Sequence, residues 1–446
     1  MGNAPFDRVP QPLAHPSTAR YADIVPSKLF WRLVPFLLLL YIVAYLDRIN
    51  VGFAALQMKQ QLNFTDAVYG LGAGMFFAGY FFFQVPSNLM LERLGARVWI
   101  SVLMITWGII SGSMAFVSTS REFYVLRFAL GVAEAGFFPG IILYMKRWFP
   151  LIVRARTVAW FMTAGPISGL IGGPISGAIL QLHNFGSIRG WQWLFIMEGA
   201  PAVLLGLVAY SYLTERPQDA AWLDDGERTW LKETIEQESE SSVVGAPTSA
   251  LAAIASPHVW ILAIIYLGIN FCSYGMSFWL PSLIRSLTGV SDFRVGVLSA
   301  IPYVAAAIAM VLSGRHSDQT GERRWHVALP AFAGAAAFCV AANSTSLVAL
   351  VVAISFALVG VNAMIGPYWA MPTTLLTGAA AASGIAFVNS IGNLGGFFGP
   401  YLIGRLRTST GGFGGGLLLA AIALVIAGSL ALATRINKYT TTTRPN

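Results

Sequence analysis

Five ionisable side chains fall inside otherwise apolar stretches of this sequence: Asp47, Arg48, Arg127, Glu134 and Glu198. Placing such a group in a hydrocarbon layer costs about 2.5–3.5 kcal/mol, so each is a functional candidate by default. Arg48 carries a permanent charge and a planar fork of donors that matches a carboxylate. Tyr41, Tyr45 and Arg48 follow i, i+4, i+7 spacing, which lays two hydroxyls along the same helix face. That pattern suits an anion anchor, with a static pair to Asp47 or Glu134 as the alternative. Asp47 and Glu134 are the candidate proton carriers. Burial disfavours the charged carboxylate and a neighbouring arginine favours it, so a group balanced between the two can load and lose a proton. Arg127 stands two helical turns before Glu134 on one face, suited to a switchable partner, a gate or a structural pair. Glu198 follows Trp191 and Trp193, which read as interfacial anchors, so it is expected near the membrane surface in a structural role.

Uncharged polar residues could complete a cavity around these groups. Tyr80 and Gln84 are one turn apart, as are Asn270 and Tyr274, and Asn389 and Asn393. Tyr368 and Trp369 follow Pro367, where a kink would open backbone groups to a cavity. The chain has no Walker phosphate loop, so direct drive by ATP is not expected. His15, His183, His258, His316 and His326 fall in tails, loops or span ends without metal-ligand spacing, and Cys272 and Cys339 read as packing residues. No metal, cofactor or enzymatic chemistry is expected.

The elements that must hold these residues are membrane helices. Of 446 residues, 56% are hydrophobic and only 11% charged, well under the roughly 25% of a typical soluble domain. Twelve apolar stretches lie near 30–56, 66–91, 97–117, 122–149, 155–182, 190–213, 257–286, 292–314, 326–343, 346–376, 380–405 and 412–434. A polar linker, 214–256, divides them six and six, between a tail at 1–29 and another at 435–446. The expected fold is therefore an all-α membrane protein of twelve helices in two pseudo-symmetric six-helix bundles, 30–213 and 257–434. The net charge of +8 is spread over short loops, which argues against nucleic-acid binding. With both termini cytoplasmic, 19 Lys and Arg fall on the inner side and seven on the outer, which sets the expected orientation.

The halves also echo each other. Glu92, Arg93, Gly95 and Arg97 follow span 2, and Gly314, Asp318, Gly321 and Arg323 occupy the corresponding turn after span 8. Glycine-rich segments recur in span 5 (169–177) and span 11 (392–400). Repeated six-helix units with closely packing helices at matched positions suit a carrier whose halves rock about a central site. A sensor would need an output domain larger than the linker, and a buried arginine beside an acid suits an apolar cargo poorly.

At the two turns the chain resembles the major facilitator superfamily, whose loop motif runs Gly-x-x-x-Asp-Arg-x-Gly-x-Arg/Lys; in the first half Asn88 stands at the first Gly and Glu92 at the Asp. Residues 45–54, 126–140, 191–201 and 389–400 resemble its anion:cation symporter family across all twelve helices. The resemblance implies a gating role for the turns, Arg48 as anion anchor, and Asp47 and Glu134 as protonation sites. It also implies cavity positions at Tyr45, Tyr80 and Asn393; Asn270, Tyr274, Tyr368 and Trp369 are further candidate contacts by residue type and spacing. The implied activity is proton-coupled import of a small organic carboxylate through a bacterial inner membrane, by a carrier that works as a monomer; exchange without proton coupling is the alternative. Vesicular glutamate transporters resemble the chain at 270–272 but follow with an arginine where Ser273 stands, which favours a monocarboxylate.

Overall fold

A backbone crossing hydrocarbon has no water to bond its N–H and C=O groups, and this chain satisfies them with helices. The computed structural model describes residues 16–182, 187–241, 255–287, 289–375 and 379–434. Among these, eleven helical stretches are long and apolar enough to span a membrane: Ile24–Gln61, Asp66–Leu94, Ala96–Phe116, Ser120–Trp148, Leu151–Ile179, Gly190–Tyr212, Pro257–Ser286, Asp292–Thr320, Arg324–Ala342, Leu347–Pro372 and Gly414–Ala433. Ala379–Thr410 is span 11 of the twelve. Its glycines and asparagines lower its hydropathy beneath that of the other eleven.

The first helix begins at Pro16, so residues 16–29 of the expected polar tail are helical and run directly into span 1. Span 4 is interrupted between Ser120–Glu134 and Phe137–Trp148, which places Glu134 at a break in the helix. Its repeat-related partner, span 10, is also interrupted, between Leu347–Ala363 and Ile365–Leu375. Within the linker, Asp225–Ser241 is helical and docks on the first half: Glu227 pairs with Lys28 at 2.6 Å and Glu238 with Arg154 at 3.0 Å. Residues 1–15, 242–254 and 435–446 of the tails and linker, with His183, lie outside the described residues.

The packing repeats with the sequence. Spans 1 and 5, 1 and 6, 2 and 4, and 3 and 6 pack together in the first half; spans 7 and 11, 7 and 12, 8 and 10, and 9 and 12 do so in the second. The halves join through spans 1 and 7, 2 and 11, and 5 and 8. At the last of these seams a Cβ on Gly173 would stand 2.3 Å from the Gly296 carbonyl oxygen, and one on Gly296 2.1 Å from that of Gly173. Only glycine permits so close a crossing.

The same end of the molecule carries a repeated ionic lock. Thr65 caps span 2 and is followed by Asp66; Ser291 caps span 8 and is followed by Asp292. Asp66 pairs with Lys59 and, across the seam, with Arg407 at 3.3 Å. Asp292 pairs with Arg285 at 3.2 Å and accepts from Gln57 Nε2 across the seam at 2.7 Å. Ala67 N donates to Thr408 Oγ1 at 2.9 Å, and Tyr69 Oη to the Phe278 carbonyl at 2.9 Å. At the opposite end, Phe137–Trp148 and Ile365–Leu375 pack within their own halves. The described halves are thus locked together at the end bearing Asp66 and Asp292, while the helices at the other, parted end pack mainly within their own halves among the described residues.

Candidate functional site

Arg48 sits at the centre of the first half's contact with the second, 6% exposed. Its Nη2 and Nε both donate to Glu134 Oε2, at 2.8 and 3.2 Å, and its Nη1 donates to the Tyr274 hydroxyl of span 7 at 3.3 Å. The guanidinium lies 5.3 Å from the Tyr45 ring, 5.6 Å from Tyr80 and 5.1 Å from Phe76. Aromatic faces stabilise a cation while leaving its edge donors free for a ligand. Glu134 is buried, and its Oε1 has no hydrogen-bond partner among the described residues.

Asp47, next to Arg48 in sequence, points elsewhere. It is fully buried and accepts hydrogen bonds from Ser111 of span 3 and from Asn50 at 3.1 Å. Arg127 is also fully buried, over Phe76 and Phe278 at 5.1 and 5.7 Å; its Nη2 donates to the Ala73 carbonyl, and Nε and Nη1 have no hydrogen-bond partner among the described residues. The two predicted arginines and two predicted acids therefore form one buried group, in which Arg48 has paired with Glu134 rather than Asp47.

The second half contributes aromatic and amide groups. Tyr274 packs on Phe77 at 4.4 Å, joining the halves beside Arg48. Asn270, one turn earlier, is buried beside Tyr266. Tyr266, another turn earlier, stacks on Tyr368 at 5.3 Å and meets Trp369 edge-on at 4.9 Å. Tyr368 is fully buried with its hydroxyl on the Leu262 carbonyl at 2.8 Å, so it supports Tyr266 in this conformation; Trp369 and Asn393 are half-buried.

Sequence reasoning overlooked Tyr266, although positions 266, 270 and 274 share one helix face at four-residue spacing. It also placed Glu198 and Trp191 wrongly. Trp191 is 1% exposed, its Nε1 donating to Gln61 Oε1 at 2.6 Å, so it packs inside rather than anchoring at the interface. Glu198 is 6% exposed within the bundle and accepts from Ser176 at 2.9 Å.

Both turn motifs end their span on a glycine at positive φ, with different ψ (154° at Gly95, 1° at Gly321). Gly95 ends span 2 with φ +85° and Gly321 ends span 8 with φ +68°, conformations that other residues adopt only with strain. Arg323 pairs with Asp318 at 2.6 Å in the second turn. In the first, Glu92 and Arg93 are exposed, and Glu215 from after span 6 takes the capping role. Its carboxylate accepts from Ala96 N and Arg97 N, at 3.0 and 2.9 Å, and pairs with Arg147 at 3.0 Å. His316 and His326, ten residues apart across the second turn, bring their ring nitrogens to 2.6 Å.

The family model of the Major Facilitator Superfamily matches residues 37–400, which include every buried charge described above. The chain belongs to the major facilitator superfamily. It is a multi-pass membrane transporter, not an enzyme. Two proteins of Agrobacterium vitis, each bearing the name "Putative tartrate transporter", are 49% identical over 408 residues, 92% of this chain and 94% and 90% of theirs. The "Quinolone resistance transporter" of Acinetobacter baumannii is 38% identical over 403 residues, 90% of this chain and 93% of that protein. Among solved structures, a bacterial homolog to the human lysosomal transporter Spinster aligns with a TM-score of 0.74 at 17% identity, covering 92% of this chain and 97% of that one. In this chain spans 1, 4 and 7 bring Arg48, Glu134 and Tyr274 together, and Trp369 of span 10 packs on Tyr266.

Proposed function

We propose that this protein imports a small organic carboxylate with protons, by alternating access, through a bacterial inner membrane. The observation that carries the reading is the buried Arg48–Glu134 pair, held at 2.8 Å and touching Tyr274 of the opposite half. A substrate carboxylate and Glu134 compete for one guanidinium. Protonating Glu134 withdraws its charge from Arg48 and frees the fork for the substrate. Releasing that proton returns Glu134 to Arg48 and expels the anion. Competition of this kind couples anion and proton without their meeting.

Asp47 is the second protonation site, and Arg127 the fixed charge that both acids face. Tyr45, Tyr80, Asn270, Asn393 and Trp369 line the path the substrate takes around Arg48. The lysine and arginine distribution supports cytoplasmic termini, which makes the parted end cytoplasmic and the Asp66–Asp292 end the closed outer gate. The turns at Gly95 and Gly321 gate the inner side, and one chain suffices for the cycle. The name carried by the Agrobacterium vitis relatives supports an organic-acid cargo, with sugar acids, tartrate and aromatic carboxylates as candidates.

The relative named for quinolone resistance favours a second reading, export of a drug-like compound. Uptake by purified protein in proteoliposomes separates the two. Carboxylate uptake that is driven by an inward proton gradient and lost in Arg48→Ala supports import. Movement of a quinolone against the same gradient, with no carboxylate uptake, would favour export.

A further inference from the structure

Glu198 takes no part in the cycle just described, yet the fold buries it behind span 1, beside Asp47. Four helices build the surroundings: Asp47 and Asn50 come from span 1, Ser111 from span 3, Ser176 from span 5 and Glu198 from span 6. Ser111 donates to Asp47 Oδ1, and Ser176 donates to Glu198 Oε1 at 2.9 Å. The Asn50 amide donates to Asp47 at 3.1 Å and lies near Glu198. Asp47 Oδ2 and Glu198 Oε2 have no hydrogen-bond partner among the described residues. Spans 3 and 6 close over the cluster so tightly that a Cβ on Gly199 would stand 2.8 Å from the Gly108 carbonyl oxygen.

The charges facing this cluster do not balance it. Arg127 and Glu134 of span 4 face Asp47, and Arg48 is bound to Glu134. Spans 3, 5 and 6 add hydroxyls and Glu198 itself, but no hydrogen bond from a lysine or arginine among the described residues. Asp47, Glu134 and Glu198 thus set three carboxylates against two guanidiniums, leaving one without a counter-charge. Two ionised carboxylates cannot share a dry site cheaply, and a proton held by one of them relieves the repulsion.

We propose that Asp47 and Glu198 form a coupled carboxylate pair that holds one proton between them in the substrate-free protein, with Glu198 acting as a positioning residue for Asp47. Passing that proton breaks the O–H bond on one carboxyl and forms it on the other, with no further reactant. The pair's place in transport rests on the symport reading above, in which Asp47 loads and releases a proton. Glu198 carries the negative charge that favours protonation of Asp47, so Glu198→Gln makes Asp47 harder to protonate.

In proteoliposomes, Glu198→Gln is expected to retain substrate exchange while its proton-driven uptake shifts to lower pH by about one unit, a tenfold change in proton affinity. Glu198→Asp is expected to restore most of the wild-type profile. An unchanged pH profile in exchange-competent Glu198→Gln overturns the pairing. A second measurement does not depend on that variant folding: infrared spectra of the substrate-free wild-type protein are expected to show a buried, protonated carboxyl band at neutral pH. Absence of that band also overturns the proposal. Wild-type uptake that ignores pH sinks symport instead, and absence of the band still overturns the pair.

Discussion

Arg48 holds Glu134 through two of its nitrogens and reaches Tyr274 through a third, a geometry that a point charge cannot reproduce. Arg48→Lys is therefore expected to weaken substrate binding by about 10- to 100-fold, despite keeping the charge, when titrated by thermal shift or calorimetry; each tenfold is about 1.4 kcal/mol. Equal affinity in the lysine variant would show that charge alone anchors the substrate. Glu134→Gln mimics the protonated acid and leaves Arg48 permanently available. Counterflow exchange should persist in that variant while gradient-driven accumulation disappears, and full accumulation would remove Glu134 from coupling. The identities of these residues were legible from sequence because a charge in an apolar run is costly. Which of the two acids Arg48 pairs with was not. Asp47 and Arg48 are neighbours in sequence, but successive residues on a helix point about 100° apart, so Arg48 reaches span 4 while Asp47 turns toward span 3.

At the level of the helices, the seams between halves rest on close backbone approach. Gly296→Val adds atoms where even a Cβ would lie 2.1 Å from the Gly173 carbonyl oxygen. The closed end should then fail to seal. With exposed Cys339 replaced by serine, a cysteine at Thr408 is expected to label faster from outside in Gly296→Val, with transport reduced at least about tenfold. Unchanged labelling would mean that spans 5 and 8 do not govern closure. The twelve spans, the repeated turns and the six-and-six arrangement were all readable from hydropathy and spacing, because the membrane restricts the backbone so severely. The lock at Asp66 and Asp292 was not recognised, although Lys59 and Arg285 stand before those acids at identical spacing in the two halves. Short polar turns look like ordinary solvated loops until the fold brings Arg407 and Gln57 across to them. Trp191 misled for the opposite reason: a tryptophan at a helix start resembles an interfacial anchor, whereas its partner Gln61 lies 130 residues away in sequence.

The whole molecule must alternate between the described conformation and its opposite for these parts to work as a carrier. Cysteines introduced at Ala67 and Thr408, adjacent across the closed seam, are expected to form a disulfide in substrate-free protein, halting transport until a reductant is added. Continued transport by the fully cross-linked protein would contradict motion at that seam. The central claim is that anion and proton move together because Glu134 and the substrate compete for Arg48. It is tested most directly in proteoliposomes loaded with a pH-sensitive dye, by adding a carboxylate outside with no imposed pH gradient and with membrane potential clamped. Acidification of the lumen in step with substrate uptake, absent in Glu134→Gln, is the predicted result. Carboxylate uptake by the wild-type protein with no change in luminal pH would contradict it.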